Sequence, residues 1–398
     1  MKAEWQTKKL GEVCEVIAGQ SPEGKYYNNE RKGLPFYQGK KAFSGKFLAE
    51  PKIWTTKITK EARPGDVLMS VRAPVGPVNF ATQIICIGRG LAAIRATDAI
   101  DRDFLFNFLL KHESEIVGNT GAVFDSINKA QIENISIPIP SLSEQQRIVA
   151  ILDKAFDGIA TAKANAEKNL QNASALFESH LQSVFTDALK TGELVMLADL
   201  ATDISDGDHM PPPKAPSGVP FITIRNIAKD TRTINFADTF MVSREYFDKL
   251  RPNKKPKKGD VLYTVTGSYG VPVLVTESRD FCFQRHIGLV RPKPEVNSQW
   301  LYYLLMSPQI LRQANDGATG TAQKTVSLKL LRGFQVPRIP LALQLVVVEK
   351  LNSTAQETQR LTALYQQKLA ALDELKKALL HQAFSGQLGS HFVEKTIP

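Results

Sequence analysis

Two long stretches of this chain carry a helical stripe of apolar residues, and each follows a block patterned for short strands. In the first stretch, apolar or small residues stand at 148, 152, 156, 159, 162, 166, 170, 173, 177, 181, 184 and 188. Steps of three and four keep them on one helical face for about eleven turns. The second stretch repeats the pattern at 351, 355, 358, 361, 365, 369, 372, 375, 379 and 383. No proline interrupts Ser141 to Met210 or Leu341 to Ile397. Ser143 with Gln146 three residues on predicts a capping box at the first helix start. Gly158 costs that helix about 1 kcal/mol, which packing of the stripe absorbs. The second helix opens on Leu341-Ala342-Leu343-Gln344, with no capping residue. A helix from about 143 to 189 is roughly 70 Å long, several times the globular norm. Its stripe needs a cover of similar length, so the two helices are expected to pair as a coiled coil. The connection between them leaves direction open, and a pseudo-two-fold relation between the copies makes antiparallel the natural choice. The alternative is that each helix lies along its own domain.

The blocks ahead of the helices are weakly similar copies of one unit. Pro64-Gly65-Asp66-Val67-Leu68 returns as Lys258-Gly259-Asp260-Val261-Leu262, and Cys86-Ile87-Gly88-Arg89 returns as Cys282-Phe283-Gln284-Arg285. Gly33-Leu34-Pro35-Phe36 is matched by Gly218-Val219-Pro220-Phe221, and Ile137-Pro138 by Val336-Pro337. A period near two hundred residues makes each copy a domain and not a stacking repeat. Turn-then-strand signals at Gly65–Val71 and Gly259–Val265 precede brief helices over Phe104–Leu110 and Trp300–Leu305. The expected class is α+β, with four segments: a domain over 1–140, a helix over 141–194, a second domain over 195–340 and a second helix over 341–398.

Charge adds a location. The chain carries 50 Lys and Arg against 40 Asp and Glu. The excess falls in residues 1–140, with 19 against 15, and in 195–340, with 20 against 13. Two basic blocks on near-neutral helices fit two polyanion-binding modules, and charge alone fits a generically basic protein equally well. Three widely spaced cysteines without a CxxC pair argue against disulfide frameworks and zinc sites. The absence of a signal-like start or a long apolar run leads to the expectation of a cytoplasmic protein without membrane contact.

Catalytic signatures are missing: no phosphate loop, no nucleophile elbow, no Asn-Pro-Pro-Tyr or Asp-Pro-Pro-Tyr tetrapeptide. Asp206-Gly207-Asp208-His209 has ligand-capable side chains but no second cluster, so a structured loop is expected there and no metal. Residue types that read bases or hold phosphates gather instead in loops. They are Gln38, Lys40, Lys41, Ser70, Arg72 and Arg89 in the first copy, and Thr223, Arg225, Asn226, Thr266, Ser268, Tyr269 and Arg285 in the second. Lys254-Lys255-Pro256-Lys257-Lys258 reads as a solvated, phosphate-facing loop.

Ile135-Ser136-Ile137-Pro138-Ile139-Pro140-Ser141-Leu142-Ser143-Glu144-Gln145-Gln146-Arg147-Ile148-Val149, with Leu152-Asp153, resembles the signature opening the central helix of type I restriction–modification specificity subunits. Asp206–His209 ahead of Gly218-Val219-Pro220-Phe221-Ile222 also looks like a common start of that family's target-recognition domains. The second helix keeps the proline pattern of Gln335–Leu341, but Gln344-Leu345 stands where Glu-Gln is expected. The resemblance covers essentially the whole chain. It implies two tandem α/β target-recognition domains, each reading one half of a split double-stranded DNA target, with the helices as spacer and docking surface. It implies a non-catalytic chain without its own cofactor. S-adenosylmethionine would belong to two methyltransferase partner subunits, and ATP with magnesium to restriction, or translocase, subunits. Rival readings are an adaptor joining two peptide-binding domains and an enzyme with an unfamiliar site.

Overall fold

The computed structural model describes residues 5–118, 126–321 and 323–388, the side chains of 114–118 excepted. The last ten positions of the expected fourth segment lie outside the described residues. The chain forms two compact units, Met1–Glu167 with Gln367–Pro398, and Lys168–Gln366.

Each unit opens on an antiparallel strand pair built from the two ends of one copy. Gln6–Lys9 pairs with Ser136–Ile139 in the first unit, and Glu193–Met196 with Gln335–Arg338 in the second. The main sheet of the first unit runs Cys14–Ala18, Leu91–Ala96, Val67–Ser70, Val78–Phe80, Phe47–Leu48, Phe43–Ser44. Its counterpart runs Ala201–Asp206, Ile287–Pro292, Val261–Thr264, Pro272–Leu274. A second sheet in each unit has a parallel contact at its heart. Cys86 faces Phe36 in one and Cys282 faces Phe221 in the other, matching the repeated sequence anchors residue for residue. The three cysteines are free and buried.

The repeated Gly-Asp-Val-Leu anchor has an electrostatic reason. Asp66 and Asp260 are each about 2% exposed at the start of a central strand. Arg95 grips Asp66 through two bonds of 2.9 Å, and Arg291 grips Asp260 at 2.9 and 2.7 Å. A buried carboxylate needs such a forked partner, because leaving it unpaired costs several kcal/mol.

The brief helix expected at Phe104–Leu110 is longer than its apolar run, Arg102–Gly118. In the second unit Ser307-Pro308 divides the corresponding stretch into Ser298–Met306 and Pro308–Gly317. Proline cannot continue a helix but fits the first turn of a new one, and the Ser307 hydroxyl caps that turn.

The long helices are Leu142–Thr191 and Leu341–Phe384. They pack antiparallel, as each unit shows by itself. In the first, Ile148, Leu152 and Ile159 share a core with Leu379, Leu380, Ala383 and Phe384. In the second, Leu181 and Phe185 share one with Val348 and Leu351. Early positions of one helix therefore meet late positions of the other. Lys163 and Asp373 close the first seam at 2.6 Å. The first helix starts one residue before Ser143. Its cap is Ser141, whose Oγ accepts from Glu144 N at 3.4 Å, so the expected Ser143–Gln146 box is corrected.

Gln344 also moves from its expected correspondence: it stands in the place of Gln145, and the departure is Leu343 for Glu144. Both glutamines are buried, at 0% and 3% exposure, and both tie a long helix to a neighbouring helix cap. Gln145 Oε1 accepts from Asp101 N at 2.7 Å and its Nε2 donates to Pro140 O at 3.0 Å. Gln344 Oε1 accepts from Asn297 N at 2.7 Å and its Nε2 donates to Ile339 O at 2.9 Å. No described helix is long and apolar enough to cross a membrane.

Candidate nucleic-acid interface

Loops leaving the central strands converge on one face of each unit, on the same backbone scaffold. In the first unit Gly88 N donates to Tyr37 O at 2.8 Å, Val71 N to Gly90 O at 3.0 Å and Ile127 N to Val71 O at 3.0 Å. In the second, Gln284 N donates to Ile222 O at 2.9 Å, Val265 N to His286 O at 2.9 Å and Val326 N to Val265 O at 2.8 Å. Gly19 and Gly207 bring a further loop against this scaffold. A Cβ there would lie 2.2 Å from Gly88 O and 1.9 Å from Phe283 O, so only glycine allows the approach.

From this scaffold Arg89 and Arg285 project at matching turn positions, exposed and without an ion pair among the described residues. Beside Arg89 lies a cavity of about 270 Å³ whose wall includes Arg72, Ser126, Asn128 and Lys129. Beside Arg285 lies one of about 370 Å³ whose wall includes Asp206, Thr266, His286, Gln323, Thr325 and Ser327. Burial, and then the neighbouring Arg285, lower the His286 imidazole from its ordinary value and so favour its neutral form. Lys41 and Arg225 occupy matching one-turn helices, Lys40–Ala42 and Ile224–Asn226, and both are exposed. Lys40 is exposed on the same turn, and Gln38 is exposed with its carbonyl accepting from Gly90 N at 3.1 Å.

The remaining expected residues are placed differently. Ser70, 2% exposed, spends its hydroxyl on Arg72 O and Pro74 O, at 3.1 and 3.0 Å. Asn226, 5% exposed, binds Thr223 through its Oδ1 and Asp238 O through its Nδ2. Both build loops and present nothing to solvent. Thr223 is engaged with Asn226, and Thr266 is nearly buried beside Thr325. Tyr269 donates its hydroxyl to Asn315 Oδ1 at 2.9 Å, while Ser268 is exposed. The expectation for the lysine run is corrected at its first two members. Lys254 pairs with Asp208 at 3.0 Å, and Lys255 donates to Asp248 O at 2.9 Å over the Phe247 ring. Only Lys257 and Lys258 are exposed there.

Asp206–His209 is a braced loop. Asp208 is held by Lys254 and by the Tyr246 hydroxyl, and Asp206 meets His209 at 2.9 Å. Among the described residues no group of three or more His, Cys, Asp or Glu side chains is arranged to hold a metal ion. The sequence reading missed Lys129, His286, Gln323 and Ser327. One signal was available: Ser126-Ile127-Asn128 and Thr325-Val326-Ser327 lie 199 residues apart, as do Pro138 and Pro337.

A family model described as the type I restriction modification DNA specificity domain matches residues 2–171. The putative MjaX specificity subunit of Methanocaldococcus jannaschii is 41% identical over 175 residues, 43% of this chain and 40% of that protein. The MjaIX specificity subunit of the same organism is 26% identical over 216 residues, 51% of this chain and 49% of that one. These two matches thus span less than half of the relatives' length. The EcoBI specificity subunit of Escherichia coli is 19% identical over 414 residues, 96% of this chain and 86% of that protein. Two solved structures share the fold at 22% identity. A chain from a study of type I restriction–modification complex assembly and conformational transition has a TM-score of 0.77, covering 97% of this chain and 98% of that one. The HsdS subunit of Thermoanaerobacter tengcongensis has a TM-score of 0.63, covering 97% of each. With two copies of one α/β unit and antiparallel long helices, the chain shares the fold of type I restriction–modification specificity (HsdS) subunits, and its residues 2–171 match that family's DNA specificity domain.

Proposed function

We propose that this chain reads a split double-stranded DNA target, one half per unit, and docks methyltransferase and restriction subunits onto it. The carrying observation is the pair of matched loop faces, each led by an exposed arginine on an equivalent turn, without an ion pair among the described residues. Lys40, Lys41 and Arg225 supply charge for phosphates, which fixes orientation without sequence information. Arg72, Arg89 and Arg285 reach base edges, where a good forked contact is worth about 1–3 kcal/mol of discrimination. Copies that differ in side chains on a common scaffold read different half-sites, so the whole target is asymmetric. The paired helices serve as spacer and docking surface. The chain is a non-catalytic subunit and carries no cofactor of its own. S-adenosylmethionine, and ATP with magnesium, belong to the partners in this reading.

The test is co-expression with the methyltransferase subunits, followed by mapping of methylated adenines on host DNA. A bipartite motif is expected, and Arg89→Ala should relax one half only. Methyl transfer by the purified chain alone, or equal relaxation of both halves by Arg89→Ala, would overturn the reading.

A further inference from the structure

The two faces share a scaffold but differ in hydrogen-bond polarity. In the first, the free charged groups are donors: Arg72 and Arg89 are exposed without an ion pair among the described residues. Lys129 adds a third, shared with Glu133 at 3.5 Å. Asn128 spends its acceptor oxygen on capping the next helix, bonding Gln131 N at 2.9 Å. Ser126 keeps a hydroxyl, and among the described residues no carboxylate lines this cavity.

Matching positions in the second face change character. Thr266 replaces Arg72, His286 replaces Gly90 and Leu328 replaces Lys129, while Asp206 stands in the place of Ala18. Arg285 remains. The wall now offers the Asp206 carboxylate, one oxygen of which already meets His209 Nε2 at 2.9 Å, as an acceptor, and the Gln323 amide as donor and acceptor together. Gln323 is exposed, with its amide beside Gly267 and without a hydrogen bond among the described residues.

The major-groove edge of guanine carries two acceptors, N7 and O6. Adenine pairs an acceptor with an amine donor, and cytosine offers an amine donor. A face whose free charged groups are all donors rewards guanine, and among its described residues only the Ser126 hydroxyl and the exposed Gln38 amide can accept from an amine. A face with a carboxylate and an amide rewards the amine-bearing bases. Resting on the reading of these faces as DNA-binding, we propose that the first unit selects guanine edges through Arg72 and Arg89, and the second selects amine-bearing adenine or cytosine edges through Asp206 and Gln323.

The experiment uses the full chain co-expressed with its methyltransferase subunits, and duplex DNA of fully randomised sequence as probe. Selection should return two half-sites. Arg72→Ala and Arg89→Ala should relax guanine positions in one half. Asp206→Asn and Gln323→Ala should relax adenine or cytosine positions in the other. A chemical probe makes the result independent of protein folding: 7-deazaguanine at the first set of positions removes the N7 acceptor. Binding should fall roughly 5- to 150-fold, the range for one forked base contact. The inference fails if the half relaxed by Arg72→Ala and Arg89→Ala contains no selected guanine, or if 7-deazaguanine binds as guanine does. It also fails if the four substitutions weaken all sequences equally, although the faces would then still bind DNA. If two half-sites are selected and none of the four variants, each folded by thermal melt, alters either one, the assignment of these faces to DNA falls as well.

Discussion

Replacing Gln344 by methionine keeps the side-chain volume and removes its hydrogen bonds. The wild-type amide accepts from Asn297 N at 2.7 Å and donates to Ile339 O at 2.9 Å and Glu295 O at 3.3 Å, with 3% exposure. In the variant the Asn297 N–H and Ile339 carbonyl lose a buried partner. The Glu295 carbonyl sits on an exposed residue and is free to turn to water. An orphaned buried polar group costs about 1–3 kcal/mol; with Asn297 only partly buried, each of the two falls in the lower part of that range, for a loss of about 2–4 kcal/mol. At about 2–4 °C per kcal/mol for a unit of this size, the melting point should fall by about 4–16 °C. Urea unfolding gives the free energy, and amide hydrogen exchange at Asn297 gives the location. Leu345→Met, at an exposed neighbour, serves as control. The clamp argument is refuted if Gln344→Met costs under about 0.5 kcal/mol with exchange at Asn297 unchanged.

Arg291→Leu should cost about 3–5 kcal/mol in urea unfolding, because Asp260 is left charged and buried, and replacing both partners by apolar residues should recover part of that loss. Lys254→Met should destabilise the Asp208 loop yet leave the salt dependence of DNA binding unchanged; Lys41→Met with Arg225→Met should flatten that dependence by about two phosphate contacts, near 0.9 each in log–log slope. Burial pushes the thiols of Cys14 and Cys282 up to about 12 from 9.0, so native protein at pH 8 should resist a thiol reagent that labels the urea-unfolded chain. Because those folded values are raised, the stability that the thiols contribute is complete below pH 9 and is lost as pH climbs toward about 12. A urea series from pH 8 to pH 11 checks the sign.

The long helices were legible because a stripe sustained over many turns has no strand counterpart, and all twelve expected positions from 148 to 188 are at least half-buried or better. The repeat was legible because its anchors carry geometric necessity: a buried Asp on a turn, a glycine under a carbonyl, a parallel strand pair. Loop residues were harder. Ser70 and Ser268 are the same residue type, four positions apart in copy-adjusted register, yet one faces inward and the other outward. Loop periodicity does not encode that direction; the hydrogen bonds of the turn decide it. Asn226 is exposed by type and buried in fact because its amide closes the loop from Thr223 to Asp238. Lys254 was hidden in a similar way, since its partner Asp208 lies 46 residues earlier. Gln344 was mispaired because a one-residue slip is invisible where Leu343 and Leu345 flank it on both sides.

The way the chain is distributed between the units bears on the order in which they are completed during synthesis. Lys168–Gln366 is one unbroken stretch, so every residue of the second unit has been made by the time Gln366 is added. The first unit is assembled from Met1–Glu167 and the segment after Gln366, and its core waits for Leu379, Leu380, Ala383 and Phe384. At about 5–20 residues per second, roughly 10–40 s separate Glu167 from Gln367 on the ribosome. During that interval Ile148, Leu152 and Ile159 have no Leu379 or Phe384 to pack against. The domain made first is the one finished last, and a chaperone guarding the nascent chain would have most to do at its beginning.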